Sequence, residues 1–124
     1  MTRLNITVEG FSEERFVKDI LYHHLLQFGI FADVRKVLTN RKLKKRGGIV
    51  GYQKFRNDVI QWLKEDRDAY HTTLIDLYGL SNDFPGVVST KGQHGSLRVN
   101  TIESLILKDI KSQLSEQIIY KKGP

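Results

Sequence analysis

Leu4, Ile6 and Val8 alternate with Asn5 and Thr7 near the start of the chain, a period of two that predicts a β-strand broken at Gly10. Glu9 stands at the strand's exit. The spacing of Phe16, Ile20, Leu21, His24, Leu25 and Phe28 then predicts a helix. Ser12 reads as its N-cap, Glu13 and Glu14 suit the positive end of its dipole, and Gly29 reads as its stop. Phe31 to Leu38 predicts a second strand, and Tyr52 to Asp66 a second helix with Phe55, Val59, Trp62 and Leu63 on one face. A third strand is expected from His71 to Leu77, carrying Thr72, Thr73, Leu74 and Ile75 into Asp76.

Strand, helix, strand, helix, strand predicts an α/β fold with a mostly parallel central sheet flanked by helices on both faces. Tyr78 to Gln93 reads as loop, rich in Gly, Asn, Asp and Pro. Leu97 to Leu114 predicts a third helix, with Ile102, Leu105, Ile106, Ile110 and Leu114 at helical spacing. Gln117 to Tyr120 reads as the start of another strand, cut off by Lys121, Lys122, Gly123 and Pro124. The expectation is one domain over residues 1–124 that lacks its C-terminal part and self-associates through an exposed apolar edge.

Glu9 and Asp76 both stand near strand ends. If the two strands are parallel neighbours, the carboxylates meet at the sheet edge where open α/β sheets bind their ligands. Glu9 alone is equally well a polar residue at a strand exit. Carboxylates in a chain without cysteine suit a hard divalent cation such as Mg²⁺, which activates water or clamps a phosphate. Glu13 either leans toward the same site or steadies the first helical turn. Asp83 is a further candidate ligand, or the start of a turn.

Other chemistries fit less well. His23 and His24 are adjacent and so point about 100° apart on a helix, one expected at the core edge and one at the surface. His71 and His94 have no partner at ligand spacing. Ser12 has no nucleophile motif around it, and Gly47, Gly48 and Gly51 make no phosphate-binding loop. Trp62 and Phe55 read as core.

The 124 residues suffice for one domain with a hydrophobic core, and 40% hydrophobic with 27% charged content argues against disorder. No apolar run approaches a membrane span, and no signal peptide precedes the first strand, so no membrane role and a cytoplasmic location are expected. The net charge of +6 is uneven, with Arg35, Lys36, Arg41, Lys42, Lys44, Lys45 and Arg46 crowded together. That window either meets nucleic-acid phosphates or forms a solvated loop.

The run Val8-Glu9-Gly10-Phe11-Ser12-Glu13-Glu14 resembles the opening of Toprim-type domains, especially those of the overcoming-lysogenization-defect nucleases. Further blocks are Arg46-Gly47-Gly48, Asp66-Arg67-Asp68-Ala69-Tyr70, Ile75-Asp76-Leu77-Tyr78-Gly79-Leu80 and Asp83-Phe84-Pro85-Gly86. Together they resemble the bacterial domain-of-unknown-function family 4276, over most of residues 3 to 86. The resemblance implies a Toprim-like fold and Mg²⁺ (or Mn²⁺)-dependent nuclease or phosphotransfer chemistry on nucleic acid, DNA ahead of RNA. It implies Glu9 as acid/base or ligand, Asp76 as a metal ligand with Glu13 or Asp83 in support, and phosphate contacts from Arg41, Lys42, Lys44, Lys45 and Arg46. It also implies a place in bacterial defence or DNA maintenance and an ATPase partner protein, while the homo-oligomer is expected from the exposed edge alone. Tyr78 departs from the family pattern, since Toprim domains carry a second aspartate there. That departure keeps a second reading open, a binding or assembly module without catalysis.

Overall fold

A computed structural model describes residues 1–37 and 51–117, with side chains to 114. The chain forms two compact units, Met1–Leu80 and Ser81–Pro124.

The first unit is built on a three-stranded parallel sheet in the order β2-β1-β3. β1 (Thr2–Val8) is central, with β2 (Ile30–Lys36) on one side and β3 (Tyr70–Leu74) on the other. Thr7 pairs with both Arg35 and Thr73, and Val8 with Lys36 and Leu74. The class is α/β, as the strand and helix order predicts.

The alternation in β1 sorts its side chains between two faces. Ile6, Val8 and Ala32 form a buried cluster with Val17, packed against Leu4, Leu21, Tyr22, Leu25, Val34 and Leu74. The covering helix is continuous from Phe11 to Leu26: α1 (Phe11–Phe16), a π-helical stretch (Val17–Leu21) and α2 (Tyr22–Leu26). Its inward stripe runs Val17, Leu21, Tyr22, Leu25, with Leu21 and Leu25 as expected and Val17 and Tyr22 in place of Phe16, Ile20, His24 and Phe28. Phe16, Ile20 and Phe28 are exposed, Ile20 by 60%. A π turn adds a residue to the helical repeat and so shifts the stripe, which a uniform period cannot anticipate. His23 and His24 are both exposed, which corrects the expected split between core edge and surface. They edge against Tyr22 and Phe28 respectively. Gly29, at φ 73°, ends the helix in the left-handed conformation open to glycine.

The opposite face of β1 carries the buried polar residues Asn5 and Thr7. Over it lies α3 (Tyr52–Glu65), with Tyr52, Phe55, Val59, Ile60 and Trp62 buried. Helices therefore cover both faces, and Trp62 and Phe55 are core as expected. Asp66, just past α3, ties this layer to the sheet. Arg3 donates to both its carboxylate oxygens at 2.6 and 2.7 Å, and Asn5 Nδ2 donates at 3.0 Å. His71 Nε2 lies 2.7 Å from the Asp66 carbonyl, its ring edge-on to Trp62.

Several boundaries differ from expectation, among them β2, which runs from Ile30 to Lys36 against the expected Phe31 to Leu38. The first helix begins at Phe11 with Gly10 in the N-cap position and no side-chain cap, so Ser12 lies inside the helix. β3 ends at Leu74, leaving Ile75 and Asp76 beyond the ladder. The last helix, α4 (Gly95–Gln117), starts two residues early and includes Gln117. The rest of the expected strand from Gln117 to Tyr120 lies outside the described residues, as does Leu38.

In the second unit, Phe84, Val87, Ile102, Ile106 and Ile110 are buried. Arg98 donates to Thr90 Oγ1 at 3.1 Å and to the Val87 carbonyl at 3.1 Å, fastening α4 to the turns that precede it. Leu105, expected on the buried stripe, is exposed.

Candidate functional site

The parallel pairing of Val8 with Leu74 brings the exits of β1 and β3 side by side. Glu9 leaves β1 half-buried, and the main-chain N–H of Asp76 donates to its carboxylate. Asp76 continues into a single 3₁₀ turn (Leu77–Gly79), and its own carboxylate accepts from the Tyr78 N–H at 3.1 Å. The turn swings Gly79 against the site: a Cβ there would lie 3.0 Å from Glu9 Oε1 and 3.9 Å from Asp76 Cβ. Glu13 reaches the same edge from α1, where a Cβ on Gly10 would lie 2.7 Å from its Oε2. Next to these acids opens a hollow of about 300 Å³ lined by Ser12, Glu13, Phe16, Leu74, Ile75 and Asp76.

Electrostatics mark Glu9 apart. Burial pushes its carboxyl up to about 7, and the negative charges of Glu13 and Asp76 add to the rise. The Asp76 N–H works against that rise, because it favours the ionised form. A carboxyl titrating near neutrality can hold or release a proton at working pH.

The expected ligands are therefore brought together in part. Glu9, Glu13 and Asp76 gather at one sheet edge. Asp83 lies in the second unit and accepts a hydrogen bond from the Ser81 hydroxyl, as a residue opening a turn does. Among the described residues, no group of three or more His, Asp or Glu side chains is arranged to hold a metal ion. The donor chemistry still suits a hard cation that keeps most of its waters and binds through one or two carboxylates. The donors are oxygen only, and a cation would relieve the repulsion among the three acids. Arg41, Lys42, Lys44, Lys45 and Arg46 lie outside the described residues.

Two features escape sequence reasoning. Gly79 reads as a loop glycine until the turn carries it against Glu9. Arg35 reads as one of many cations, yet its guanidinium stacks 4.4 Å above the Trp62 ring and bridges to Glu65 at 2.7 Å. The spacing of Trp62 and Glu65, three apart on one helix face, was the available signal.

Among the described residues, no helix is long and apolar enough to cross a membrane. No curated protein and no solved structure matches the chain. One family does, described as a domain of unknown function, DUF4276, and its match runs over residues 8–120, from the last residue of β1 past the end of α4. The family resemblance carried by the Glu9 and Asp76 segments thus extends over most of the chain, and the protein belongs to the DUF4276 family.

Proposed function

We propose that this chain is a Toprim-like, Mg²⁺-dependent nuclease or phosphotransfer domain acting on nucleic acid. The observation that carries the reading is the meeting of Glu9 and Asp76 at the C-terminal edge of adjacent parallel strands, with Glu13 beside them. This edge is where parallel α/β sheets bind ligands, and two carboxylates with bound water and a substrate phosphate make up the usual Mg²⁺ environment.

Glu9 and Asp76 would hold the cation, with Glu13 in support. The cation would supply charge stabilisation at the phosphoryl group and an acidified water. The chain's own residues do the remaining work. Glu9 has one of two roles: as a ligand it stays ionised, and off the cation its carboxyl, raised to about 7 by burial and the neighbouring acids, takes or returns a proton. The Asp76 N–H fixes the orientation of the Glu9 carboxylate, and the compact 3₁₀ turn leaves room beside Gly79 for that carboxylate to sit.

The test is hydrolysis of end-labelled oligonucleotides with Mg²⁺ or Mn²⁺. Metal-dependent cleavage that Glu9→Gln and Asp76→Asn each reduce by about 10²-fold or more supports the reading. Equal activity in all three proteins, or none in any, overturns it.

A second reading is a binding or assembly module that keeps the fold without the reaction. Tyr78, where Toprim domains carry a second aspartate, is 93% exposed, and its N–H donates to Asp76. Divalent-cation titration separates the two, since a module without metal chemistry gives no binding heat that depends on Glu9.

A further inference from the structure

The connection after β1 runs to the helix on one face of the sheet, and the connection after β2 runs to α3 on the other. In the order β2-β1-β3 the strand order reverses between β1 and β3, where the acids lie, while at the ends of β1 and β2 the two connections part toward opposite faces. A hollow of about 170 Å³ lies there, lined by Thr7, Lys36, Asp58 and Gln61 beside Arg35 and Trp62. Pockets for drug-sized ligands run to roughly 300–1,000 Å³, so this one suits a single ring system.

Arg35 is unusually fixed for an arginine at a strand end. One face of its guanidinium rests on the Trp62 indole, 4.4 Å from the ring centre, and one edge donates to Glu65 Oε2 at 2.7 Å. Its side chain nevertheless remains 51% exposed. Trp62 covers the guanidinium from one side only, so the side chain is anchored without being enclosed. The group is a flat cationic plane held ready beside a hollow. Its charge is already matched by Glu65, and Asp58 in the same space is paired with Lys54 at 2.8 Å, so the charges of Arg35 and Asp58 at the hollow are already satisfied. A neutral heterocycle suits it better: the ring stacks on the guanidinium, and its polar edge meets the Gln61 amide, which also donates to Glu65 at 3.3 Å, and the Asp58 carboxylate, which also accepts from Lys54. Guanidinium planes are common stacking platforms for unpaired bases.

We infer that the Arg35–Trp62 stack and its hollow take one unstacked nucleobase of a single-stranded nucleic acid. The inference rests on the reading of the carboxylate edge as a phosphodiester site for the identity of the polymer, and it narrows the substrate to single strands. Thr7 in the hollow and Glu9 just past the end of β1 are two residues apart along the chain, about 7 Å of extended chain. A strand crossing the acids can thus lay a neighbouring base in the hollow. A duplex keeps its bases stacked and offers none.

Trp62 is the sole tryptophan, so its emission reports on the stack. The experiment titrates the full chain, in chelator, with a short oligothymidylate, the same oligomer made abasic, and a duplex. The expected result is a saturable change in Trp62 emission, with the abasic oligomer and the duplex about tenfold weaker. Arg35→Lys keeps the charge and loses the plane. It should weaken the base-bearing oligomer about tenfold and abolish its advantage over the abasic one. Gln61→Ala removes the amide that donates to Glu65 Oε1 at 3.3 Å and leaves Glu65 Oε2, the oxygen that Arg35 bonds; it should reduce that advantage, and circular dichroism checks that both variants fold. Equal affinity for base-bearing and abasic oligomers, or an advantage that survives Arg35→Lys, overturns the inference. Base preference with no metal-dependent cleavage leaves the stacking site standing and removes the reaction, whereas cleavage without base preference does the reverse.

Discussion

The main-chain N–H of Asp76 donates to the carboxylate of Glu9, joining the first residue after β1 to the second residue after β3. The bond exists because β3 ends at Leu74, one step short of Glu9's neighbour, and the chain then turns toward β1. Glu9 is thereby held at the sheet edge among like charges, and its burial and those charges set its behaviour.

The raised pKa of Glu9 makes stability depend on pH. In the fold the carboxyl keeps its proton up to about 7, whereas in the unfolded chain it loses the proton near the ordinary carboxylate value. Its contribution is fully present below that ordinary value and is lost as pH rises through about 7. Allowing for solvent screening, wild type should lose about 1–2 kcal/mol from this group between pH 5 and pH 8 in chelator. Glu9→Gln should lack that loss, as urea denaturation at the two pH values will read.

Gly79 is expected to matter more for activity than for folding. A Cβ 3.0 Å from Glu9 Oε1 must displace that oxygen by a few tenths of an ångström. Gly79→Ala should cut metal-dependent cleavage by about tenfold or more, because small misplacements of a reacting group are costly. The thermal midpoint should move little.

Asp66 carries the opposite pH sign. The Arg3 guanidinium, with Asn5 in support, holds its carboxyl well below the usual carboxylate range. Its contribution is present above that range and is lost as pH falls below it. Thermal melts of wild type should therefore fall more steeply from pH 5 to pH 3 than those of Asp66→Asn, whose own midpoint at pH 7 should be lower.

The shifted helix stripe gives a direct comparison. Val17 is buried and Ile20 exposed. Val17→Ala should cost about 1–3 kcal/mol in urea denaturation, and Ile20→Ala no more than about 0.5 kcal/mol. A uniform helical period would rank them the other way.

The alternation Leu4-Ile6-Val8 and the helical runs around Phe55 and Trp62 were enough to read the parallel α/β unit, because burial on two faces imposes those periods. The pairing of Glu9 with Asp76 followed from both ending strands. The π stretch at Val17–Leu21 was not legible, since a uniform helical period carries no mark of a wider turn. Nor was the role of Gly79, which exists only once the 3₁₀ turn folds back on Glu9. Asp66 read as part of a family block, but its bonds to Arg3 and Asn5 span more than sixty positions of sequence and leave no local trace.

Calorimetric titration of Mn²⁺ into wild type, Glu9→Gln and Asp76→Asn at pH 7.5 (a working value chosen just above the Glu9 midpoint) tests the central claim most directly. The account expects saturable binding to wild type that each substitution weakens by about tenfold or more. Identical heats for all three proteins, or no binding to wild type, would contradict it.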